Sequence, residues 1–249
     1  MREMITGRNP VYEVLRARRR QVFRLMVASG SEEQGKLAEI LAMAARNKIP
    51  VERVPRQRLD ALGEGHQGVA VEVNEYTYSD LTDILAAASG KSEPLLMLLL
   101  DMLQNPQNLG TLLRSAEAAG VDGVVIPFRR AAGITPAVVH ASSGATEHLL
   151  IAQMNLSQAM DTLKENGAWI VGLESGPDSR PITEAPLDGP LALVVGNEGE
   201  GMRRLIREKC DFLARLPMRG KVDSLNAAVA GSIALYFAIQ ARSAPPVSS

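Results

Sequence analysis

From Pro94 onwards, the chain alternates short apolar runs with segments of helical periodicity. The apolar runs are Leu95–Leu100, Gly123–Pro127, Trp169–Leu173, Leu191–Val195 and a weaker one at Asp211–Leu216. The helical segments are Leu109–Ala119, Pro136–Ala141, Leu156–Asn166, Met202–Lys209 and Leu225–Arg242. Runs without polar alternation, separated by helices, indicate a parallel sheet covered on both faces. We therefore predict an α/β domain over residues 94–249.

The first 75 residues predict a smaller α/β unit, joined to the larger domain by a linker over residues 76–93. Its strands are predicted at Val22–Ala28, Ile49–Val54 and Gly68–Val73. Helices are predicted at Pro10–Arg18 and Glu32–Asn47, the second capped by Ser31. A short helix, Leu81–Ala88, is predicted inside the linker.

Composition narrows the class of protein. Apolar residues make up 46% and charged residues 22% of the 249 residues, as in a folded domain. A single cysteine, Cys210, excludes an internal disulfide and fits a reducing compartment. The longest apolar stretches, Pro94–Leu100 and Ala227–Ala241, are shorter than the ~20 residues of a membrane span. The three histidines lack the spacing of a zinc site. We expect a soluble cytoplasmic protein without a metal or a membrane partner.

Charge is distributed unevenly along the chain. Residues 1–58 carry 13 Lys and Arg against 6 Asp and Glu, whereas residues 59–249 carry 14 against 22. The arginines include the run Arg16-Ala-Arg18-Arg19-Arg20, followed by Arg24. This positive segment is interpreted either as a phosphate-binding surface or as a solvated helix end whose arginines complement the helix dipole.

Three loops rich in glycine or asparagine follow the predicted strands. They are Asn105–Arg114, Val195–Gly201 and Leu216–Asn226. Ligands of open α/β sheets usually bind at the carboxyl ends of the strands, so the three loops predict one composite site.

Each loop leaves alternatives open. Asn108 is predicted to cap the helix at Leu109, and Arg114 either pairs with Glu117 or presents a cation to RNA. The glycines of the second loop follow neither the dinucleotide nor the Walker order, and its Glu198 and Glu200 would repel a pyrophosphate. In the third loop, Ser224 and Asn226 either start a helix or contact a ligand.

Together the loops resemble the three motifs of the SpoU (TrmH) family of ribose 2′-O-methyltransferases. The first is N-x-x-N-x-G-x-x-x-R-S-A from Asn105, the second V-x-G-x-E-x-x-G from Val194, and the third L-P-M-x-G-x-x-x-S-L-N from Leu216. The segments Ile5–Leu15 and His66–Val69 resemble the substrate-binding domain of the RlmB-type ribosomal RNA enzymes. Ala227-Ala228 departs from the Val-Ser that is common after the asparagine, which puts a role for a second serine in doubt.

The resemblance implies a SPOUT fold with a trefoil knot, a homodimer with each site at the subunit interface, and S-adenosylmethionine as cofactor. It implies methylation of a ribose 2′-hydroxyl in large-subunit ribosomal RNA, on a guanosine. The implied cofactor-binding residues are Gly196, Asn197, Gly201, Leu216, Met218 and Leu225. The implied catalytic residues are Asn108, Arg114, Glu198, Ser224 and Asn226.

The general-base role often given to the arginine at position 114 is difficult, because a guanidinium is almost always protonated near neutral pH. We expect Arg114 to stay charged, grip the RNA and stabilise the developing alkoxide. Three alternatives remain: a transfer-RNA 2′-O-methyltransferase, a non-catalytic RNA-binding protein on the same scaffold, and a nucleotide-binding α/β enzyme with Gly196–Gly201 as its phosphate loop.

Overall fold

The structure is a computed structural model that describes residues 2–129, 131–197, 199–222 and 224–243. Its strands are β1 (Arg2–Thr6), β2 (Val22–Ala28), β3 (Val51–Val54), β4 (Val69–Asn74), β5 (Leu96–Leu100), β6 (Gly123–Ile126), β7 (Ile151–Gln153), β8 (Trp169–Leu173), β9 (Arg180–Pro181), β10 (Leu191–Val195) and β11 (Phe212–Arg215). Its α-helices are α1 (Arg8–Ala17), α2 (Lys36–Arg46), α3 (Arg56–Asp60), α4 (Leu81–Ser89), α5 (Pro106–Ala118), α6 (Pro136–Ala141), α7 (Leu156–Glu165), α8 (Arg204–Lys209) and α9 (Ala227–Ser243).

The chain forms two compact units. The first contains residues 1–77 together with the later segment 134–148, and the second contains residues 78–133 and 149–249. The domain bounds 1–75, 76–93 and 94–249 stay a prediction. They do not include the return of the chain to the first unit over residues 134–148.

The first unit is built on a four-stranded sheet in the order β1-β4-β2-β3. Strand β4 runs antiparallel to both β1 and β2, while β2 and β3 are parallel. The alternation in β4 places Val69, Val71 and Val73 in the core. Helix α2 begins at Lys36 with Gly35 as its N-cap and no side-chain cap, so the prediction that Ser31 caps it was wrong.

The segment 134–148 is held to the first unit by buried polar contacts. Arg20 Nε donates to Glu147 Oε2 over 3.1 Å, and Arg20 Nη2 lies 3.0 Å from Glu147 Oε1. The guanidinium also donates to Glu3 over 2.7 Å. A Cβ on Gly144 would lie 2.7 Å from the Cβ of Glu13, so the segment approaches α1 closely. Arg20 is therefore a structural residue and not part of an exposed phosphate-binding surface.

The second unit is built on a seven-stranded sheet in the order β7-β6-β5-β10-β8-β11-β9. All of its pairings are parallel. Strands β5, β6 and β10 are buried along their whole length, which confirms the predicted parallel sheet with both faces covered. Helices α4, α7 and α8 bury apolar side chains against one face of this sheet.

Helices α5 and α9 pack against each other beside the centre of this sheet. A Cβ on Gly231 of α9 would lie 2.9 Å from Leu112 of α5 and 3.1 Å from Val195 of β10, so glycine permits the close approach. The Ser232 hydroxyl donates to the Ser115 hydroxyl over 2.8 Å. This packing fixes the first turns of both helices at the carboxyl end of the sheet. No helix among the described residues is long and apolar enough to cross a membrane.

Candidate functional site

The loop after β10 is a tight turn closed by its own backbone. Asn197 and Gly201 exchange two backbone hydrogen bonds of 3.0 and 2.9 Å. A Cβ on Gly196 would lie 2.4 Å from the carbonyl carbon of Gly201, so only glycine fits there. The Asn197 side chain accepts from Gly199 N and donates to Met102 O. Both ends of the Asn197 side-chain amide therefore hold the loop in shape. What the loop offers to a ligand is its backbone.

A buried ion pair fixes the base of this loop. Asp101, at the end of β5, is completely buried and lies 2.6 Å from Arg203 Nη2. It also accepts from Arg203 N over 2.8 Å and from Arg203 Nε over 2.7 Å. The Arg203 guanidinium therefore neutralises this carboxylate.

The segment after β11 forms a second wall. It runs from Leu216 to Leu225 without regular structure over its described residues. The Arg215 guanidinium donates to the backbone carbonyl of Ser179, which ties the end of β11 to the loop after β8. The Met218 side chain is exposed. This wall is apolar and partly open to solvent.

A third wall comes from the end of β8. Arg207 Nε donates to Glu174 over 2.7 Å, and Arg207 Nη2 donates to Asp178 over 2.6 Å. Hydrogen bonds from its guanidinium to Asp178 and Glu174 raise the pKa of Arg207. Two carboxylates therefore occupy the Arg207 guanidinium.

These walls enclose a cavity of about 310 Å³ at the carboxyl ends of β8, β10 and β11. All six residues predicted to bind the cofactor line it, as does Ser224. The lining also includes residues that sequence reasoning missed: Leu173, Glu174, Ser175, Gly199, Glu200, Arg215, Ala227 and Ala230. The lining residues at the end of β8 could have been predicted from the sequence. The strand itself was predicted, and ligands of open α/β sheets bind at the carboxyl ends of the strands.

The remaining predicted catalytic residues lie beside this cavity or outside the described chain. Asn226 Nδ2 donates to Asn108 Oδ1 over 3.1 Å, which joins the first turns of α9 and α5. Arg114 is exposed on the same helix as Asn108. Neither asparagine nor Arg114 is part of the cavity lining. Glu198 lies outside the described residues.

The helix caps differ from the prediction. Asn105, not Asn108, caps α5, because its Oδ1 accepts from Gln107 N over 2.8 Å. Asn226, not Ser224, caps α9, since its Oδ1 accepts from Ala228 N over 2.9 Å. Gly120, which follows α5, has a left-handed backbone with φ of 70°.

In the first unit, the two motif halves predicted from the sequence meet. Arg8 N donates to Gln67 Oε1 over 3.0 Å, and Gly7 N donates to Val69 O over 3.2 Å. His66 Nδ1 accepts from Gly68 N, so its Nε2 donates to Asp60 Oδ1 over 2.8 Å. His66 is therefore a structural residue that shapes the turn into β4.

Residue chemistry at the cavity suits a polar organic ligand rather than a metal. Among the described residues, no group of three His, Cys, Asp or Glu side chains could hold a metal ion. The glycine turn leaves backbone groups open to close approach, and a Cβ on Gly201 would meet no atom within 4 Å. A volume of about 310 Å³ is at the lower end of small-molecule sites.

Two family models match the chain in succession. Residues 4–79 match the model for RNA 2′-O ribose methyltransferase substrate binding. Residues 95–236, more than half of the chain, match the SpoU rRNA methylase family.

Whole-chain comparisons agree with these matches. A Bacillus subtilis (strain 168) protein named as the TrmH family tRNA/rRNA methyltransferase YacO is 42% identical over 238 residues, covering 94% of each chain. The SpoU methyltransferase AviRb from Streptomyces viridochromogenes, solved in complex with the cofactor AdoMet, has a TM-score of 0.79 and 25% identity, covering 97% of this chain and 90% of its own. A solved RNA 2′-O ribose methyltransferase has a TM-score of 0.78 and 26% identity, covering 97% and 89%.

The three loop motifs, the cavity that the second and third of them line, and these matches agree with one another. The chain belongs to the SpoU family of RNA methyltransferases.

Proposed function

We propose that this protein transfers a methyl group from S-adenosylmethionine to a ribose 2′-hydroxyl, that of a guanosine in large-subunit ribosomal RNA. The observation that carries this proposal is the convergence of the three motif loops on one edge of the sheet. The second and third loops line a single cavity, and the third joins the first through the Asn226–Asn108 hydrogen bond.

The cavity fits the cofactor through its backbone. S-adenosylmethionine supplies an activated methyl group on a sulfonium. The turn Gly196–Gly201 and the segment Leu216–Leu225 offer backbone donors and acceptors to a flat heterocycle. Glu174 and Glu200 line the same cavity and provide negative charge for a cationic ligand. Glu174 is preoriented by Arg207, so its position costs little ordering on binding.

Arg114, Asn108, Ser224, Asn226 and Glu198 are proposed as the catalytic neighbourhood. Arg114 grips the RNA and stabilises negative charge on the attacking oxygen. Arg114→Lys retains the charge but loses the planar fork of donors, so methyl transfer should fall sharply while the Kd for S-adenosylmethionine is unchanged. Near-normal turnover of this variant would exclude a specific role for the guanidinium.

The first unit is proposed to select the RNA. Arg16 and Arg18 are exposed, whereas Arg24 donates to Glu72 and Glu52 inside the fold. Because Arg16 already pairs with Glu13, the test uses Arg18: Arg18→Gln should weaken RNA binding and reduce its salt dependence, since fewer counterions are released. Arg58→Gln is the matched control, since Arg58 already pairs with Glu52.

Transfer RNA remains an alternative substrate, because YacO is named as a methyltransferase of transfer RNA and ribosomal RNA. Side-by-side incorporation of labelled methyl groups into ribosomal and transfer RNA separates the two. Mass-spectrometric mapping of ribose methylation in ribosomal RNA from cells with and without the protein tests the proposal directly. Identical maps would contradict the ribosomal substrate.

We also propose the homodimer and the trefoil knot that the family resemblance implies. Helix α9 exposes Val229, Ile233 and Tyr236, with exposed fractions of 44, 38 and 55%. Their spacing places them on one helix face, which suits an isologous contact between two copies.

A mixing experiment tests whether two copies share one site. Arg114→Ala protein is combined with Gly196→Ala protein under conditions of subunit exchange. Activity above that of either variant indicates that Arg114 acts on the cofactor site of the other copy. Light scattering of Ile233→Glu, with a monomeric mass as the expected result, tests the interface.

A further inference from the structure

A second cavity of about 310 Å³ lies at the same edge of the sheet, beyond β5. It is formed by the ends of β6 and β7 and the beginnings of α7 and α8. Its lining consists of Pro127, Phe128, Arg129, Met154, Asn155, Leu156, Ser157, Arg203, Leu205 and Ile206. None of these residues belongs to the cavity proposed for the cofactor.

Phe128 is the most unusual member of this lining. It follows β6 directly, and 66% of its surface is exposed. Leu205, on the same cavity, is 56% exposed. An aromatic ring that is largely open to water at a cavity gains contact energy when a ligand covers it.

Charge identifies the class of ligand. No residue on the described lining is acidic, although the chain from residue 59 onwards carries 22 Asp and Glu against 14 Lys and Arg. Arg129 is exposed and makes no ion pair with the described residues. The charge of Arg203 is balanced by Asp101, which contacts its Nε and Nη2. Among the described lining residues, Arg129 is the cation that remains, and it favours an anionic ligand.

Helix α7 adds positive potential to the same cavity. Asn155, Leu156 and Ser157 at its amino end line the cavity. Its ten residues point the positive end of the helix dipole towards the bound group. The cavity therefore combines an aromatic ring, Phe128, with two features that attract a phosphate, Arg129 and the amino end of α7.

We propose that this cavity binds an unstacked nucleobase of the RNA, with the base stacked on Phe128 and its phosphate at Arg129 and the amino end of α7. This inference rests on the proposed RNA substrate. Aromatic rings with nearby arginines are how proteins hold splayed bases of single-stranded RNA. A protein partner is less suited to this cavity. Its rim is basic and has no acidic residue among those described, so it matches a phosphate better than the apolar surface of a protein.

The topology places the cavity within reach of the methyl-transfer site. Strands β6 and β8 are three positions apart in the sheet, about 14 Å at the usual ~4.8 Å between neighbours. Between them, Asp101 accepts from Arg203, which lies two residues after Gly201. The base bound here therefore belongs to a nucleotide near the methylated one, and the site helps to choose the sequence or the loop that is methylated.

The test compares substitutions of Phe128 in the full-length protein. Phe128→Ala should raise the KM for RNA about tenfold and weaken binding of a short single-stranded oligoribonucleotide by a similar factor, as for other base-stacking residues. Phe128→Tyr should preserve both values, and Phe128→Leu should behave like Phe128→Ala. The Kd for S-adenosylmethionine should stay unchanged in all three variants.

Trp169→Ala is the matched control, because Trp169 is 49% exposed at the opposite end of β8. Wild-type RNA binding by Phe128→Ala overturns the inference. Full binding by Phe128→Leu also overturns it, since the cavity would then accept any apolar group. If the wild type methylates no RNA, the proposed function fails. If the wild type methylates RNA and substitution of Phe128 has no effect, only the proposed stacking site is excluded.

Discussion

Asn226 joins two helices with one side chain: its Oδ1 caps α9, and its Nδ2 donates to Asn108 Oδ1 on α5. The cap satisfies the backbone N–H groups of Ala228 and Val229. The amide donor then ties Asn108 to the residue that follows Ser224 and Leu225, which line the cavity. One residue therefore has a stabilising role and a positioning role that different substitutions can separate.

Asn226→Asp retains the cap acceptor and loses the donor to Asn108. We expect its melting temperature to stay near that of the wild type while kcat falls at least tenfold. Asn226→Ala loses both contacts and should also lose about 1 kcal/mol of stability, the usual value of an N-cap. Thermal denaturation and methyl-incorporation kinetics check both variants. Equal activity of Asn226→Asp and the wild type would show that the hydrogen bond to Asn108 has no catalytic importance.

Gly196→Ala should abolish cofactor binding in a folded protein. The added Cβ would lie 2.4 Å from the backbone of Gly201, so the loop must open. Gly199→Ala is the control, because its nearest neighbour is a side-chain oxygen of Asn197 at 3.6 Å. Calorimetry should give a loss of affinity of at least a hundredfold for Gly196→Ala and little change for Gly199→Ala. Similar losses for both variants would mean that any added methyl group disturbs the loop.

Several elements could be predicted because local pattern and final burial agree. The predicted strands Val22–Ala28, Trp169–Leu173 and Leu191–Val195 match β2, β8 and β10 at both ends. Strands β1, β7 and β9 were missed, since β1 buries only Ile5 and β7 and β9 have three and two residues, so none of them shows a recognisable hydrophobic period. The N-cap at Asn105 could have been predicted from the sequence, because proline is favoured in the first turn of a helix and Pro106 follows Asn105.

Long-range packing was beyond sequence reasoning. Nothing local indicates that Glu147 pairs with Arg20, which is 127 residues away. The six predicted cofactor residues could be placed together because motif spacing and sheet topology converge, whereas Glu174 and Arg215 carry no motif. Their importance comes from neighbours in space, namely Arg207 and the loop that contains Ser179.

Cys210 should be almost unreactive in the folded protein. Burial raises the pKa of its thiol to about 12, with a smaller contribution from Asp211. Since the thiolate is the reactive form, modification at pH 8 should be slower than that of an ordinary thiol by a factor on the order of 10³. Ellman's reagent added with and without denaturant measures this. Rapid reaction of the native protein would show that the thiol is accessible and ionised.

Glu147 should make stability depend on pH through its buried carboxyl group. Burial raises the pKa of Glu147 above its usual value, although Arg20 opposes the shift. At a pH between the unfolded-state and folded-state pKa values of Glu147, the folded state binds more protons than the unfolded state. The stabilising contribution of this group is therefore complete below the unfolded-state pKa. It declines as the pH rises through the folded-state pKa. Glu147→Gln removes the titration. The wild type should therefore lose stability relative to Glu147→Gln as pH rises from about 4, in urea denaturation at several pH values. A wild type that gains on the variant with rising pH would mean that attraction to Arg20 outweighs the desolvation of the carboxylate.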